Sequence, residues 1–467
     1  VSTVKNEAFY IEDDWSLMED RLRLQLGLRN DRFSNQGVNG ESYYESGNQW
    51  GPRVGASYDL FGDGRTKLYG FYGKYYLPLA ADINLNVMGG RVTYTRYNLL
   101  NGLDPAKSTP LPGDAILGAD GFSACPDTGI ANCEVQADGS AADPSGAIAH
   151  NLKPQSSEEF IFGAEHRFSN RIRVGAYFTH RKLGNVIEDL TVDYGARAYC
   201  VEQGFSEADC TDAYPGGSDW VIANPGQDVT VRINPLPDGS TPTVTLAAED
   251  LLYDKPKRNY NAVTFTFDRE FDGVWGLSGT YTWAMDKGNY EGGVRSENGQ
   301  LAVNRVSDFD SPGFQNGSYG YLPNDRRHTF KLYGSYRPLS FIDLGANVLV
   351  QSPRSYSCIG TVPTEVDPYA HGYHGYSYYC NGELVPRGTA FKGDWLYQFD
   401  VSAVARLPLD GFDASLRFDV FNLFNSKSVT AYNEFGQLGN DAPNSNYKKP
   451  EAYQSPRYVR LQFRLGF

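Results

Sequence analysis

The densest concentration of reactive side chains in the 467-residue chain is a short run, Tyr369-Ala370-His371-Gly372-Tyr373-His374-Gly375-Tyr376-Ser377-Tyr378-Tyr379. It lies between Cys358 and Cys380. Tyrosine offers a large contact area with a polar tip and loses little entropy when held, which is what binding loops use. Tyr369, His371, Tyr373, His374, Tyr376, Tyr378 and Tyr379 are therefore the candidate ligand-binding residues. The plainer alternative is a tyrosine-rich loop packed on its neighbours. The i, i+3 spacing of His371 and His374 on an irregular loop gives little support to a metal site.

Other groups could do chemistry. Asp286, Asp308 and Asp310 could help bind Ca²⁺ through hard oxygen ligands, with solvated loop carboxylates as the plainer reading. Asp325-Arg326-Arg327-His328 reads as an ion-pair network at a strand start, with direct ligand contact as the alternative. Six cysteines stand at 125, 133, 200, 210, 358 and 380. They fall two to a loop, outside the strand candidates, and no Cys-x-x-Cys spacing speaks for zinc. The simplest of fifteen connectivities is Cys125–Cys133, Cys200–Cys210 and Cys358–Cys380. Such bonds imply an oxidising compartment. No Gly-x-Ser-x-Gly elbow and no phosphate-cradling Gly-x-x-x-x-Gly-Lys loop is present. No catalytic residue, metal ligand set or cofactor is therefore assigned, and the chain is not expected to be an enzyme.

The elements that must position these loops are strands. In Leu22-Arg23-Leu24-Gln25-Leu26-Gly27-Leu28-Arg29 every second residue is leucine, and a strand sends alternate side chains to opposite faces. The last residues do the same, with Val459, Leu461, Phe463, Leu465 and Phe467 on one face and Arg460, Gln462 and Arg464 on the other. Thirteen such candidates lie at 5–17, 21–33, 50–60, 66–77, 157–168, 171–186, 258–270, 275–286, 325–337, 340–352, 393–407, 412–425 and 456–467. A further strand is expected at 91–98, inside the second long connection. Connections alternate strictly between short and long, and all six cysteines fall in long ones. Short turns on one side and long loops on the other are what a transmembrane barrel needs, with periplasmic turns and extracellular loops. Arg23, Arg29, Glu165, Arg167, Arg417 and Asp419 must then point into the lumen. The closing strand, Val459 to Phe467, also reads as the segment that barrel assembly machinery would recognise.

Composition agrees. No run of apolar residues is long enough for a transmembrane helix, and mean hydropathy is −0.47. Tyr (33) and Phe (26) are abundant, as membrane interfaces favour. A net charge of −14 disfavours nucleic acid as a partner. No leader is visible at Val1, so the chain reads as mature or incomplete.

The chain also resembles the C-terminal barrel portion of TonB-dependent outer-membrane receptors, most closely an Oar-like branch. The resemblance rests on Ala8-Phe9-Tyr10-Ile11-Glu12-Asp13-Asp14-Trp15, Leu26-Gly27-Leu28-Arg29-Asn30-Asp31, Leu152-Lys153-Pro154-Gln155 before Glu159, and Asn324-Asp325-Arg326-Arg327-His328. Pro386-Arg387-Gly388-Thr389, the pair Trp395 and Asp400, and Phe418-Asp419-Val420-Phe421-Asn422-Leu423-Phe424-Asn425 complete it. Family membership implies a 22-stranded barrel with an N-terminal plug, energised through TonB. On that expectation residues 1–467 are the C-terminal part of the barrel, and the plug, TonB box and remaining strands lie outside this chain. The implied setting is the outer membrane of a Gram-negative bacterium, with outer-membrane lipid and lipopolysaccharide, the TonB complex and the barrel assembly machinery as partners. The implied function is uptake of a peptide, siderophore or oligosaccharide. A passive pore of about 14 strands and a surface adhesion protein with disulfide-clipped loops are the alternatives.

Overall fold

The structure is a computed structural model that describes residues 2–38, 40–90, 92–119, 121–140, 142–373, 375–409, 411–439 and 441–466. His374 and Phe467, both singled out above, lie outside the described residues.

The thirteen long strands form one antiparallel sheet in chain order. They are β1 (Thr3–Leu17), β2 (Leu22–Gln36), β3 (Gln49–Asp59), β4 (Thr66–Leu77), β5 (Gln155–Arg167), β6 (Ile172–Leu183) and β7 (Arg258–Arg269). There follow β8 (Trp275–Gly288), β9 (His328–Leu339), β10 (Ile342–Gln351), β11 (Leu396–Leu409), β12 (Phe412–Phe421) and β13 (Tyr458–Gly466). Each strand pairs with the next, so every expected strand is present and displaced by a few residues at most. The strand expected at 91–98 is Val92–Arg96, paired with Cys133–Asp138 inside the loop. Among the described residues β1 pairs only with β2 and β13 only with β12. No described helix is long and apolar enough to cross a membrane, which says nothing about crossing by strands.

Register sorts the side chains by face. Phe162 lies opposite Phe178, Phe178 opposite Val263, and Val263 opposite Trp283. On the other face Arg173 lies opposite Asp268 and reaches both it (3.5 Å) and Glu165 (3.4 Å). At the last pair Asp419 lies opposite Arg460 and accepts from it at 2.8 Å, while Arg417 donates to Asp419 at 2.8 Å. Leu461 lies opposite Phe418 and Phe463 opposite Leu416, all exposed. One face is thus a continuous apolar surface and the other a ladder of ion pairs. A bilayer accepts the first and a water-filled lumen the second.

Apart from Phe33 near the loop end of β2, the buried apolar cluster is not in this wall. It sits in the long connections, where Ile187, Leu190, Val192, Ala196, Val221, Val231 and Phe309 are almost wholly inaccessible. The loops are folded matter rather than loose tethers.

Candidate ligand-binding mouth

All three expected disulfides are formed, with Cα–Cα distances of 5.1 Å (Cys125–Cys133), 5.8 Å (Cys200–Cys210) and 5.5 Å (Cys358–Cys380). The cysteines avoid the thirteen long strands. However, Cys133 opens the loop strand Cys133–Asp138, Cys380 ends the two-residue strand Tyr379–Cys380, and Cys200 and Cys210 sit on helices. The expectation that none lies in a strand is corrected to that extent. Local sheet and helix, rather than irregular coil, hold the sulfurs within bonding reach.

The loops meet at a buried network of charges. Arg295, Arg387 and Tyr378 are fully buried. Glu297 accepts from Arg387 Nε at 2.8 Å and Nη2 at 2.6 Å, a bidentate pair. It also accepts from Ser357 Oγ and Tyr378 Oη, each at 3.2 Å. Arg295 pairs with Asp308 at 2.9 Å and donates to the Tyr376 carbonyl at 2.7 Å. The Tyr378 ring lies 5.2 Å from the Arg295 guanidinium and 5.4 Å from that of Arg387. Ser357 N donates to Glu434 at 2.6 Å, and Arg354 pairs with the same carboxylate. Burial pushes the Glu297 carboxyl up, but Arg387 and Arg295 outweigh it and hold it below the usual range. At Asp308 burial wins, and its carboxyl stays raised despite the same two arginines. This cluster ties the loops 289–327, 352–395 and 422–457 together.

A second junction joins loop 184–257 to loop 289–327. Glu188, wholly buried, accepts from Tyr290 Oη at 2.7 Å and Val306 N at 2.8 Å. Asp367 accepts from Tyr194 Oη (3.1 Å), Gly313 N (3.1 Å) and Ala370 N (3.0 Å). Arg305 reaches Asp82 at 2.7 Å, which brings in loop 78–154. Burial raises the Asp310 carboxyl to about 7, against the hydrogen bond from Tyr373 that lowers it.

These contacts correct two expectations. Asp286, Asp308 and Asp310 are not solvated loop carboxylates but buried ones. Asp286 pairs with Arg258 at 2.7 Å and Asp308 with Arg295. No group of three or more His, Cys, Asp or Glu arranged for a metal occurs among the described residues. The Asp325–Arg327 ion pair at the start of β9 is present at 3.6 Å. The strand itself begins at His328 rather than Asp325, because the buried Asp325 carboxylate accepts from Asp286 N at 2.7 Å and holds the chain in a turn.

The tyrosine run divides into an inner and an outer part. Tyr378 and Tyr379 are buried, so their side chains serve the loop core and not the outer surface. The small helix Pro368–Gly372 presents Tyr369, half-buried, over Gly216 and Gly217. Both glycines have positive φ (114° and 71°), and a Cβ on Gly217 would overlap the Tyr369 phenol. Tyr373 is 46% exposed and its ring lies near those of Tyr369 (5.9 Å), Trp220 (6.1 Å) and Phe314 (6.1 Å). His371 Nδ1 is 2.9 Å from the Val362 carbonyl and Nε2 is 3.8 Å from Asp441. Tyr376 packs edge-on to Phe435 at 4.8 Å. The accessible aromatic surface is therefore built by Tyr369, Tyr373 and Trp220. Trp220 sits over a hundred residues away in sequence, and no local pattern marks it.

A thirteen-stranded antiparallel wall with one apolar face, one charged face and folded loops at one end defines the wall of a transmembrane β-barrel. The chain belongs to the family described as outer membrane beta barrel domain, whose model matches residues 32–341. It is 27% identical over 515 aligned residues to the TonB-dependent transporter Oar of Myxococcus xanthus, across 98% of this chain. That is the relationship to which the scattered motifs pointed. The chain spans 42% of that relative's length. Among solved structures it is similar to the ferripyoverdine receptor of the outer membrane of Pseudomonas aeruginosa (TM-score 0.48, 12% identity, 100% of this chain and 39% of that one). It is likewise similar to the siderophore receptor PiuA from Acinetobacter baumannii (TM-score 0.48, 11% identity, 99% and 43%).

Proposed function

We propose that this chain is the greater part of the barrel wall and the ligand-capturing loops of a TonB-dependent outer-membrane transporter. The observation that carries this is the folded loop layer. Charges as fully buried as Arg295, Arg387 and Glu297 persist only in a specific, held arrangement, and a held arrangement presents a shaped surface to ligands. In this reading residues 1–467 belong to a 22-stranded barrel. Both outermost strands keep an unpaired edge among the described residues, which leaves room for further strands. A plug and its TonB contact come from outside this chain, and the loops face the exterior. Tyr369, Tyr373 and Trp220, with His371 beside them, make first contact with a peptide, siderophore or oligosaccharide.

The test is uptake by cells carrying the complete gene, with and without TonB. Candidate nutrients of the three classes are supplied as sole source. Growth or label accumulation that requires both the gene and TonB supports the reading. Uptake that ignores TonB would make the protein a pore, and surface binding without uptake would make it an adhesin.

A further inference from the structure

The negative charge of the chain is not spread evenly. The six long connections, 37–48, 78–154, 184–257, 289–327, 352–395 and 422–457, hold 35 Asp and Glu against 19 Lys and Arg, a formal −16. The whole chain carries −14, so the wall and its short turns are slightly positive and the excess of acid stands at the loop end. Loop 184–257 alone has thirteen acids against four bases, and no Lys, Arg or His occurs from Ala198 to Val231. Glu202, Glu207, Asp209 and Asp212 are exposed on the helices Asp193–Glu202 and Glu207–Ala213, which Cys200–Cys210 clips together. Arg197, on the first of these helices, is turned back onto the Tyr214 carbonyl at 2.6 Å.

From that acidic hairpin the chain runs directly into the accessible aromatic patch. Trp220 opens the strand Trp220–Ala223 and donates from Nε1 to the Gly217 carbonyl at 2.9 Å, which fixes its ring. It lies opposite Thr191, and Asp189 lies opposite Ile222, so Asp189 and Trp220 share one face of this two-stranded sheet. Thr191 Oγ1 donates to the Asp310 carbonyl at 3.2 Å, which brings Asp310 alongside. Burial first, then Asp310, Tyr369 and Asp189, push the Tyr373 phenol up, so it stays protonated with both carboxyls close by. The Asp189 Oδ1 is inaccessible and has no hydrogen-bond partner among the described residues. The guanidiniums that oppose the two acids, Arg305 and Arg295, are already paired with Asp82 and Asp308. Burial raises both carboxyls, and a ligand cation stabilises their charged forms in place of the proton. The rings supply the rest, because an aromatic face attracts a cation through its quadrupole, most strongly where water is excluded. A metal ion is a poor match, since no group of three or more ligating side chains is gathered among the described residues. An ammonium or guanidinium group needs only ring faces and a negative field.

We infer that this patch recognises a cationic peptide, with one Arg or Lys side chain laid on the Tyr373 and Trp220 rings beside Asp189 and Asp310, and further basic residues drawn to the acidic helices. A peptide strings several cations along one chain, as the acids here are strung over a hairpin and a patch. A neutral oligosaccharide gains nothing from those acids, and an anionic chelate is repelled by them. The inference rests on reading this mouth as the ligand-capturing end of the barrel, and it selects one of the three ligand classes.

The complete protein, purified in detergent, is titrated into three fluorescein-labelled, amidated peptides, Gly-Arg-Gly-Arg-Gly, Gly-Gln-Gly-Gln-Gly and Gly-Glu-Gly-Glu-Gly, and binding is read by anisotropy. The Arg peptide should bind about tenfold more tightly than the Gln peptide, the Glu peptide should bind least, and added salt should narrow the gap. Tyr373→Leu and Trp220→Leu should each weaken binding of the Arg peptide about three- to tenfold. Tyr373→Phe, which keeps the ring, should retain most of it, and Tyr453→Leu, at an exposed aromatic on another loop, should change nothing. Equal affinity of the unaltered protein for the Arg and Gln peptides overturns the inference. So does Arg-peptide binding that survives Tyr373→Leu combined with Trp220→Leu. Neither TonB nor uptake enters this assay. TonB-dependent uptake of a neutral or anionic nutrient, without Arg-peptide binding, would sink the cation site and leave the transporter standing. Arg-peptide binding by a protein that imports nothing would do the reverse.

Discussion

Glu297→Gln is the sharpest perturbation of the loop layer. The carboxylate receives two hydrogen bonds from Arg387, at 2.8 and 2.6 Å, and one each from Ser357 and Tyr378. Arg295 stands 3.5 Å away. The amide keeps the shape but removes the charge and turns an N–H toward a guanidinium. Two buried arginines then share Asp308 and the more distant Glu291. Removing one partner of a buried ion pair costs about 3–5 kcal/mol, because the other charge stays buried without its match. At about 1.4 kcal/mol per factor of ten, opening of the layer rises roughly a hundred- to a few-thousand-fold. The cost falls on the loops and leaves the wall alone, since no strand of the sheet contributes to the cluster. Hydrogen exchange read by mass spectrometry checks both halves. Amides in loops 289–327, 352–395 and 422–457 should lose protection, and those of β5 to β8 should keep theirs. Arg417→Gln is the control. The Arg417 guanidinium is half-exposed and the buried Asp419 carboxylate retains Arg460 at 2.8 Å, so no buried charge is left unmatched and the loss should be small beside that of Glu297→Gln. Glu297→Met with Arg387→Met removes both charges and should recover much of the protection. The reasoning is refuted if Glu297→Gln disturbs the loops no more than Arg417→Gln does.

Two further expectations follow from the same geometry. Burial holds the Asp310 carboxyl near 7, with Tyr373, Arg295 and Arg305 opposing the rise and Asp308 adding to it. The folded loops therefore bind a proton that an opened loop releases between about pH 4 and 7. The associated stability is full below that window and is lost as pH rises through it. Loop protection, corrected for intrinsic exchange, should be higher at pH 5 than at pH 8, and Asp310→Asn should flatten the difference; higher protection at pH 8 would refute this. On the wall, Leu461→Arg places a charge on the apolar face and should cost about 2–4 kcal/mol if it lies near the bilayer midplane. Gln462→Arg, on the charged face, should cost little. The yield of heat-modifiable barrel in outer-membrane fractions separates the two, and equal yields would deny that Leu461 meets lipid.

The wall was legible in the sequence because its physics is local. Period-two alternation in Leu22 to Arg29 and in Val459 to Leu465 names both face and strand, and a short turn names the partner. Even the errors at strand ends are local. The segment expected to run on to Asn425 stops at Phe421, where Asn422 takes a positive φ of 50° and donates to the Ser426 and Ser455 carbonyls. The loops were legible only in their cysteines, whose neighbours in sequence are their partners in space. Asp308 looked like a solvated loop acid because its burial depends on Arg295 and Arg387, the latter some eighty residues away. Arg387 was visible as part of Pro386-Arg387-Gly388-Thr389, but nothing local gave it a role. Trp220 was invisible for the same reason. The tyrosine run was seen as one surface, yet strand pairing at Tyr376–Ser377 and Tyr379–Cys380 turns Tyr378 inward.

The sulfur bridges span 8, 10 and 22 positions, and each closes within the connection between two consecutive strands. None crosses from one hairpin to another. A chain carrying all three is therefore still a linear string of hairpins, with no covalent knot that fixes which is laid down first. Oxidation in transit and insertion into the membrane are thereby uncoupled. The bridges can be complete before the first strand enters the bilayer, and the wall can still be built one hairpin at a time from either end.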